Sequence, residues 1–270
     1  MKRFENRIAV VTGGTSGLGR RITEALCEEG AKVVFWGRND EKGAQIAEKI
    51  KANNGEVAYM HVDVRFANEI KAAAETVKAK YGHVDILICS AGVNQYKAGT
   101  IVETDEDEFD KVIDTNVKGT FLCCKYIIPL MPKEGGSVIN FSSAWDTIVS
   151  AKVPVYCASK AAITHMTKQI ALDFAPHNIR ANTISPGTVV TEMVEGVISN
   201  TYAKLGFEKP EDMWEARRLA YPIGRLGTVD DVAHLTLFLA SDEASWITGA
   251  AILIDGGFTF SRSFAPPPKK

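Results

Sequence analysis

Residues 7–26 read "RIAVVTGGTSGLGRRITEAL". An apolar run of strand character enters a glycine-rich turn, "TGGTSGLG" at 12–19, and leaves it as a segment with helical periodicity. Gly13 permits a tight turn, Gly17 lets backbone approach a pyrophosphate, and Gly19 allows the helix to lie close to the sheet. The first helical turn, which contains Leu18, offers unpaired N–H groups and a partial positive charge to phosphate. Thr15 and Ser16 add hydroxyl donors. Glycines at such spacings also arise by chance in turns that bind nothing. Their position between a first strand and a first helix is what makes these informative.

Working outward, the same alternation continues along the chain. "AKVVFWG", "EVAYMHVDV", "VDILICSAG", "GSVINFSS", "IRANTISPG" and "AAILIDGG" read as short buried strands. Between them, "DEKGAQIAEKIKANNG", "ANEIKAAAETVKAKYG", "TDEDEFDKVIDTNVKGTFLCCKYIIPLM" and "SKAAITHMTKQIALDFAP" carry helical periodicity, with Gly30, Gly55 and Gly82 at expected helix ends. Near-continuous apolar strands separated by helices predict a parallel α/β sheet covered on both faces, doubly wound in the Rossmann manner. No change of composition marks a second domain, so residues 1–270 read as one. The long, mixed stretch 188–226 suits a lid inserted after a strand end. The proline-rich end, 258–270, reads as an extended tail.

Composition narrows the function class. With 46% hydrophobic and 24% charged residues, the chain has the make-up of a soluble globular protein. A net charge of −2 gives no basic footprint for nucleic acid or anionic lipid. No apolar run approaches the roughly 18 residues of a membrane span, and "MKRFENRIAVVTGG" lacks a signal-peptide core, so the expected location is cytoplasmic. Cys27, Cys89, Cys123, Cys124 and Cys157 show no CxxC or regular spacing and read as buried small hydrophobes, Cys157 having an oxidation-sensitive thiol as its alternative. The five histidines form no metal-binding pattern, so no metal is expected.

"YCASK" at 156–160 brings chemistry into this frame. On a helix, Tyr156 and Lys160 share a face, with Cβ atoms roughly 5–6 Å apart. Free tyrosine, with a pKa of about 10, is a poor base at neutral pH. A cation about 4 Å from the phenolate contributes roughly 4 kcal/mol at an effective dielectric of about 20, enough to lower that pKa by up to about three units. Burial opposes the shift, which makes Lys160 necessary to it.

Taken together, the GxxxGxG glycines, "SAG" at 90–92, Asn116, Ser143, "YCASK", "SPGTVVT" at 185–191 and "LIDGG" at 253–257 resemble the short-chain dehydrogenase/reductase family over almost the whole chain. The resemblance implies a seven-stranded Rossmann-type sheet, a nicotinamide cofactor, a small carbonyl or alcohol substrate, and a dimer or homotetramer. It implies hydride transfer with Tyr156 as general acid/base, Ser143 (rather than Ser142) orienting the substrate oxygen, and Lys160 lowering the tyrosine pKa while gripping the ribose. Asn116 would bend its helix and complete a proton relay. Cofactor contacts are implied for Asp63 and Val64 near the adenine, for Ser90, Ala91 and Gly92, and for Pro186, Gly187, Val189 and Thr191 near the nicotinamide amide and phosphate. Ser90 stands where the family usually has asparagine.

Cofactor choice turns on "FWGRND". Gly37 occupies the place where NAD-preferring relatives often carry aspartate, and Arg38 follows with a guanidinium suited to a 2′-phosphate. NADP(H) is therefore favoured over NAD(H), with Asp40 read as a helix N-cap. Asn94, Tyr96, Trp145, Asp146, Met193, Trp214, Arg217 and Arg218 are candidates for the substrate pocket. The two arginines hint at an acidic substrate, but "EARRLA" reads first as a solvated helix face. A catalytically silent dinucleotide sensor and a sugar-nucleotide epimerase or dehydratase are the competing functions. The sensor has no need to keep the tyrosine and lysine, and the epimerase calls for a larger C-terminal substrate domain.

Overall fold

The computed structural model describes residues 2–203 and 206–263. Its strands are β1 (Ile8–Thr12), β2 (Lys32–Gly37), β3 (Val57–His61), β4 (Ile86–Cys89), β5 (Gly136–Phe141), β6 (Ile179–Pro186) and β7 (Ala251–Ile254). They form one seven-stranded sheet in the order β3-β2-β1-β4-β5-β6-β7, and every pairing is parallel. The expected doubly wound Rossmann-type fold is present. All seven strands fall inside the apolar runs read from the sequence.

Both faces of the sheet are covered, which is why the strands lack polar alternation. In β1, Ala9 and Val11 join a core with Ile22 and Leu26 of α1 (Gly17–Glu28), whereas Val10 faces a second core containing Ile70 and Val77 of α3 (Ala67–Tyr81). Strand β2 divides its side chains the same way: Val33 and Phe35 go to the first core, Val34 and Trp36 to the second. Each fully buried side chain of this kind contributes about 1.5–3 kcal/mol. α2 (Asp40–Ala52) packs on the first face; the helical stretch from 106 to 130 and α6 (Pro154–Phe174) cover the second.

The stretch read as one helix over 104–131 is interrupted. α4 (Glu106–Ile113) passes through a π-helical turn, Asp114–Lys118, into α5 (Gly119–Ile127), and a 3-10 turn ends it. Asn116 sits in the middle of the π turn. Pro154 starts α6 at a position where its missing N–H costs nothing, so all of "YCASK" lies on the helix.

Three readings need correction. The N-cap of α2 is Asn39, whose side chain accepts from the Lys42 N–H; Asp40 is the first helical residue and binds the Tyr59 hydroxyl and His61 instead. After α2 the left-handed conformation is taken by Asn54, while Gly55 is required because a Cβ there would meet the Ile50 side chain at 2.4 Å. The tail is not extended at its start. Phe258–Ser263 forms a 3-10 helix, held by Asp255, which accepts from the Gly257 and Thr259 N–H groups, and by Phe258 stacking on Tyr221. Residues 264–270 lie outside the described residues.

The stretch after β6 contains α7 (Glu192–Thr201) and α8 (Pro210–Leu219). α9 (Val229–Ala240), a helix missing from the sequence outline, follows with a capping box between Thr228 and Asp231 and packs into the first core. No helix among the described residues is long and apolar enough to cross a membrane.

Candidate active site

The strand order reverses between β1 and β4, and in open parallel sheets the crevice beyond such a switch point receives ligands. Here a cleft of about 900 Å³ opens between the turns that follow those strands. Gly13 has φ of +69°, and a Cβ on it would stand 2.8 Å from the Ala91 backbone. The Ala91 N–H donates to Thr12 Oγ1 at 3.0 Å, which ties the two turns together. A Cβ at Gly19 would lie 2.4 Å from the Gly13 carbonyl oxygen, so α1 enters directly against the turn.

This cradle fits a dinucleotide. Ser16 is the N-cap of α1 but makes no side-chain cap bond, whereas Asn39, Thr191 and Thr228 each cap their helices. The first N–H groups of α1 therefore remain available to phosphate oxygens. Of the residues expected to bind cofactor, Gly13, Ser16, Gly17, Leu18, Gly19, Ser90, Ala91, Gly92, Tyr156, Lys160, Pro186, Gly187, Val189 and Thr191 all line the cleft. Phe141, Glu192 and Val194 join them without having been foreseen; Phe141 contributes through its place at the end of β5.

Thr15, Arg38, Asp63 and Val64 stand outside that lining. Thr15 packs on Gly37, where an added Cβ would be 2.5 Å from Thr15 Cγ2. Arg38 is exposed and lies 3.9 Å from Asp63 Oδ2. Asp63 is bound bidentately by Arg65, at 2.6 Å for the shorter bond. Burial pushes the Asp63 carboxyl up, but the Arg65 hydrogen bonds outweigh it and hold the group below the usual carboxylate range.

At the other end of the cleft, the adjacent serines 142 and 143 part company. Ser142 is turned inward and its hydroxyl donates to the Lys160 carbonyl at 2.9 Å. Ser143 accepts from the Trp145 N–H and lines the cleft beside Tyr156, near enough to pull the phenol pKa down, so its capping role and its place beside the tyrosine coexist. Lys160 is buried; its Nζ donates to the Phe141 carbonyl at 2.9 Å and lies 5.6 Å from the centroid of the Tyr156 ring.

Asn116 is clamped rather than exposed. Its Oδ1 accepts from the Val93 N–H at 2.8 Å, while Nδ2 donates to the Val93 carbonyl and to Ser159 Oγ. Its own carbonyl is satisfied by Thr120 Oγ1 at 2.7 Å, a side chain standing in where the π turn disturbs the regular ladder. A Cβ at Gly92 would lie 3.3 Å from Asn116 Oδ1 and 3.6 Å from Lys160 Nζ, so the glycine keeps the space between those groups open.

The electrostatics correct one expectation. Lys160 does not bring the tyrosine down in this state: burial pushes the Tyr156 phenol up to about 12, with the neighbouring Ser143 hydroxyl pulling the other way. Burial likewise pushes Lys160 down to about 8, opposed by the charge of Asp146. One cause moves both groups toward their neutral forms. At neutral pH the resting pair is still a phenol beside an ammonium. Such a phenol is a proton donor, and a further positive charge is needed to make it an acceptor.

Asp146 was only a pocket candidate from sequence. It accepts from Thr147, Thr164 and Ser185 hydroxyls and so pins the segment after Ser143 to α6 and to the end of β6. Of the two arginines, Arg218 is exposed and pairs with Glu215, as a solvated face requires. Arg217 turns inward, to Thr188. All five cysteines are free and buried, which fits the packing role.

Comparisons with known proteins identify the family. The sequence matches the family described as enoyl-(acyl carrier protein) reductase over residues 13–259. The chain belongs to the short-chain dehydrogenase/reductase family. It is 39% identical to the uncharacterized oxidoreductase YxbG of Bacillus subtilis, over 95% of this chain and 92% of that one. It is 34% identical to the 3-oxoacyl-[acyl-carrier-protein] reductase FabG of Chlamydia pneumoniae, over 93% and 96%. The crystal structure of gox2181 superposes with a TM-score of 0.86 at 31% identity, covering 96% of this chain and 97% of that one. Membership of the short-chain family makes the chain an NAD(P)-dependent oxidoreductase.

Proposed function

We propose that this short-chain family member interconverts a carbonyl and a secondary alcohol on a small molecule, with Tyr156 exchanging the proton. The observation that carries the reading is the convergence of Ser143, Tyr156 and the buried Lys160 at one end of the glycine-lined cleft. A bound nicotinamide supplies or accepts the hydride. Ser143 holds the substrate oxygen, and the neutral phenol of Tyr156 delivers a proton to that oxygen during reduction. Lys160, anchored on Phe141, stabilises the phenolate left behind. Asn116 fixes the Val93 backbone and the gap beside Gly92 through which the lysine is resupplied with protons.

NADP(H) is the preferred cofactor in this reading. Gly37 removes a carboxylate that would repel the 2′-phosphate, and the exposed Arg38 has only a 3.9 Å contact to give up. The stretch 188–226, with α7 and α8, serves as the lid of a single catalytic domain. The exposed Phe109 on α4, Phe121 on α5 and Leu172 on α6 are the faces on which copies of the chain associate. Retention of Tyr156, Lys160, Ser143 and Asn116 together disfavours a silent sensor. The test is Tyr156→Phe: it keeps NADPH affinity, followed by fluorescence titration, and loses turnover across a panel of ketones and alcohols. A variant that turns over at the wild-type rate removes the proposal.

A further inference from the structure

The helix that carries Tyr156 starts without a cap of its own. Val153, the residue before α6, makes no side-chain cap bond, and Pro154 at the first position has no N–H to satisfy. Lys152 ahead of them has φ of +62°, a left-handed conformation that is unfavourable for any residue with a Cβ. The first N–H of α6 that needs an acceptor is therefore that of Val155, which is buried. It donates to Gln95 Oε1 at 3.2 Å, 60 residues earlier in the chain.

Gln95 belongs to the irregular segment between β4 and α4, where side chains ordinarily face water, yet it is only 1% exposed. Its whole amide is engaged. Nε2 donates to the Lys97 carbonyl at 3.1 Å and to Thr104 Oγ1 at 3.2 Å, which leaves the oxygen for Val155 and fixes which way the amide points. A little further on, the Gly99 N–H donates to the Lys152 carbonyl at 2.9 Å, a second tie between the same two segments. The other side of Tyr156 is held from that segment too. Its carbonyl accepts from Ser159 Oγ at 2.7 Å, Ser159 accepts from Asn116 Nδ2 at 3.0 Å, and Asn116 grips the Val93 backbone. Tyr156 is thus bracketed along its chain: Gln95 acts on the peptide N–H one residue before it, and Asn116, through Ser159, on its own carbonyl.

We propose that Gln95 is a positioning residue for Tyr156: it stands in for the missing N-cap of α6 and so fixes the place of the phenol beside Ser143 in the cleft. The catalytic consequence rests on the function proposed above; the capping bond does not. A buried helix start that loses its acceptor frays, and Tyr156 sits in that first turn. Misplacing a reacting group by about 1 Å lowers a rate by about 10²-fold, so a partial fraying lowers it by about tenfold.

The test uses the full chain with NADPH and the ketone of the panel above that the wild type reduces fastest. Gln95→Met keeps the length of the side chain and removes its polar atoms. Thr104→Val removes one partner of Nε2 and leaves the bond to Val155. Rates are divided by the number of NADPH sites found by fluorescence titration, so a variant that merely folds less well shows fewer sites and an unchanged kcat per site. Gln95→Met is expected to lose about tenfold in kcat per site while its NADPH Kd stays within about twofold of wild type. Its Val155 amide, followed by NMR, is expected to exchange with deuterium about tenfold faster or more. Thr104→Val is expected to match the wild type on all three. Should Gln95→Met give no NADPH sites, Gln95→Asn, which keeps an amide but shortens its reach, carries the same expectation. A variant that keeps its kcat per site overturns the proposal, as does an unchanged Val155 exchange rate or an equal loss in Thr104→Val. Tyr156→Phe is run alongside. If it is inactive, failure of the Gln95 variants strikes the positioning role alone. If it turns over normally, or the wild type reduces no ketone, the reaction assigned to Tyr156 falls and the role of Gln95 falls with it.

Discussion

Lys160 Nζ stands 5.6 Å from the centre of the Tyr156 ring while its hydrogen bond is spent on the Phe141 carbonyl. The ammonium is thus held at a fixed distance from the phenol by the end of β5. Holding it there has a cost. Folding lowers the lysine pKa from 10.5 to about 8, so the folded protein binds fewer protons than the unfolded chain between those values. Stability falls as pH drops from about 10.5 to about 8 and stays at the reduced level below that.

Lys160→Met should therefore be more stable than wild type at pH 7, by somewhat less than the ~3 kcal/mol the pKa change represents, because the Phe141 carbonyl loses its donor. Turnover should fall by about 10²-fold or more. Thermal melts at pH 7 and pH 10.5 check the sign: the advantage of the variant should shrink at the higher pH. An equal advantage at both values would contradict the account.

The adjacent serines predict opposite results from one change. Ser143→Ala should lose turnover by about 10²-fold with little change in melting temperature, because the hydroxyl that meets Tyr156 is gone. Ser142→Ala should lose about 1 kcal/mol of stability, from its bond to the Lys160 carbonyl, and keep most of its activity. Steady-state kinetics beside denaturant melts would tell the two apart.

Arg38→Ala should weaken NADPH binding by about tenfold while NADH changes little, since only the former carries the phosphate that a guanidinium would hold. Fluorescence titration of both cofactors against both proteins is sufficient. Equal loss for both would assign Arg38 to general surface charge.

Asp146 raises the pKa of both Tyr156 and Lys160 through its negative charge. Asp146→Asn keeps the shape and removes the charge, so the pH–rate profile should move to lower pH. Rescue of rate by raising pH would be the opposite sign. A purely structural role through Thr164 and Ser185 would lower the rate at every pH without moving the profile.

Much of this molecule is legible in its sequence because the physics is local. β1, β2 and β4 are covered on both faces, so they read as unbroken apolar runs. The glycines at 13 and 19 sit where any Cβ would strike backbone. Several of the errors have a different origin, which is long-range contact. Nothing near Asp40 in sequence reveals Tyr59 and His61, and nothing in "EARRLA" reveals Thr188. The sequence arithmetic for Tyr156 names burial as the opposing effect, but its size is set only by the assembled cleft. Asn116 was half legible: an asparagine inside a helix is a poor choice, but the π turn it occupies depends on Val93 and Ser159.

The contact between Gly37 and Thr15 limits which side chains position 37 can carry. An aspartate introduced at 37 would have its first carbon 2.5 Å from the Thr15 methyl, so that single replacement meets a clash before it meets a ribose. Placing an acid at position 37 therefore calls for a smaller residue at position 15 or a shift of the Thr15 side chain. Positions 15 and 37 are thus coupled, and neither changes its side chain without regard to the other.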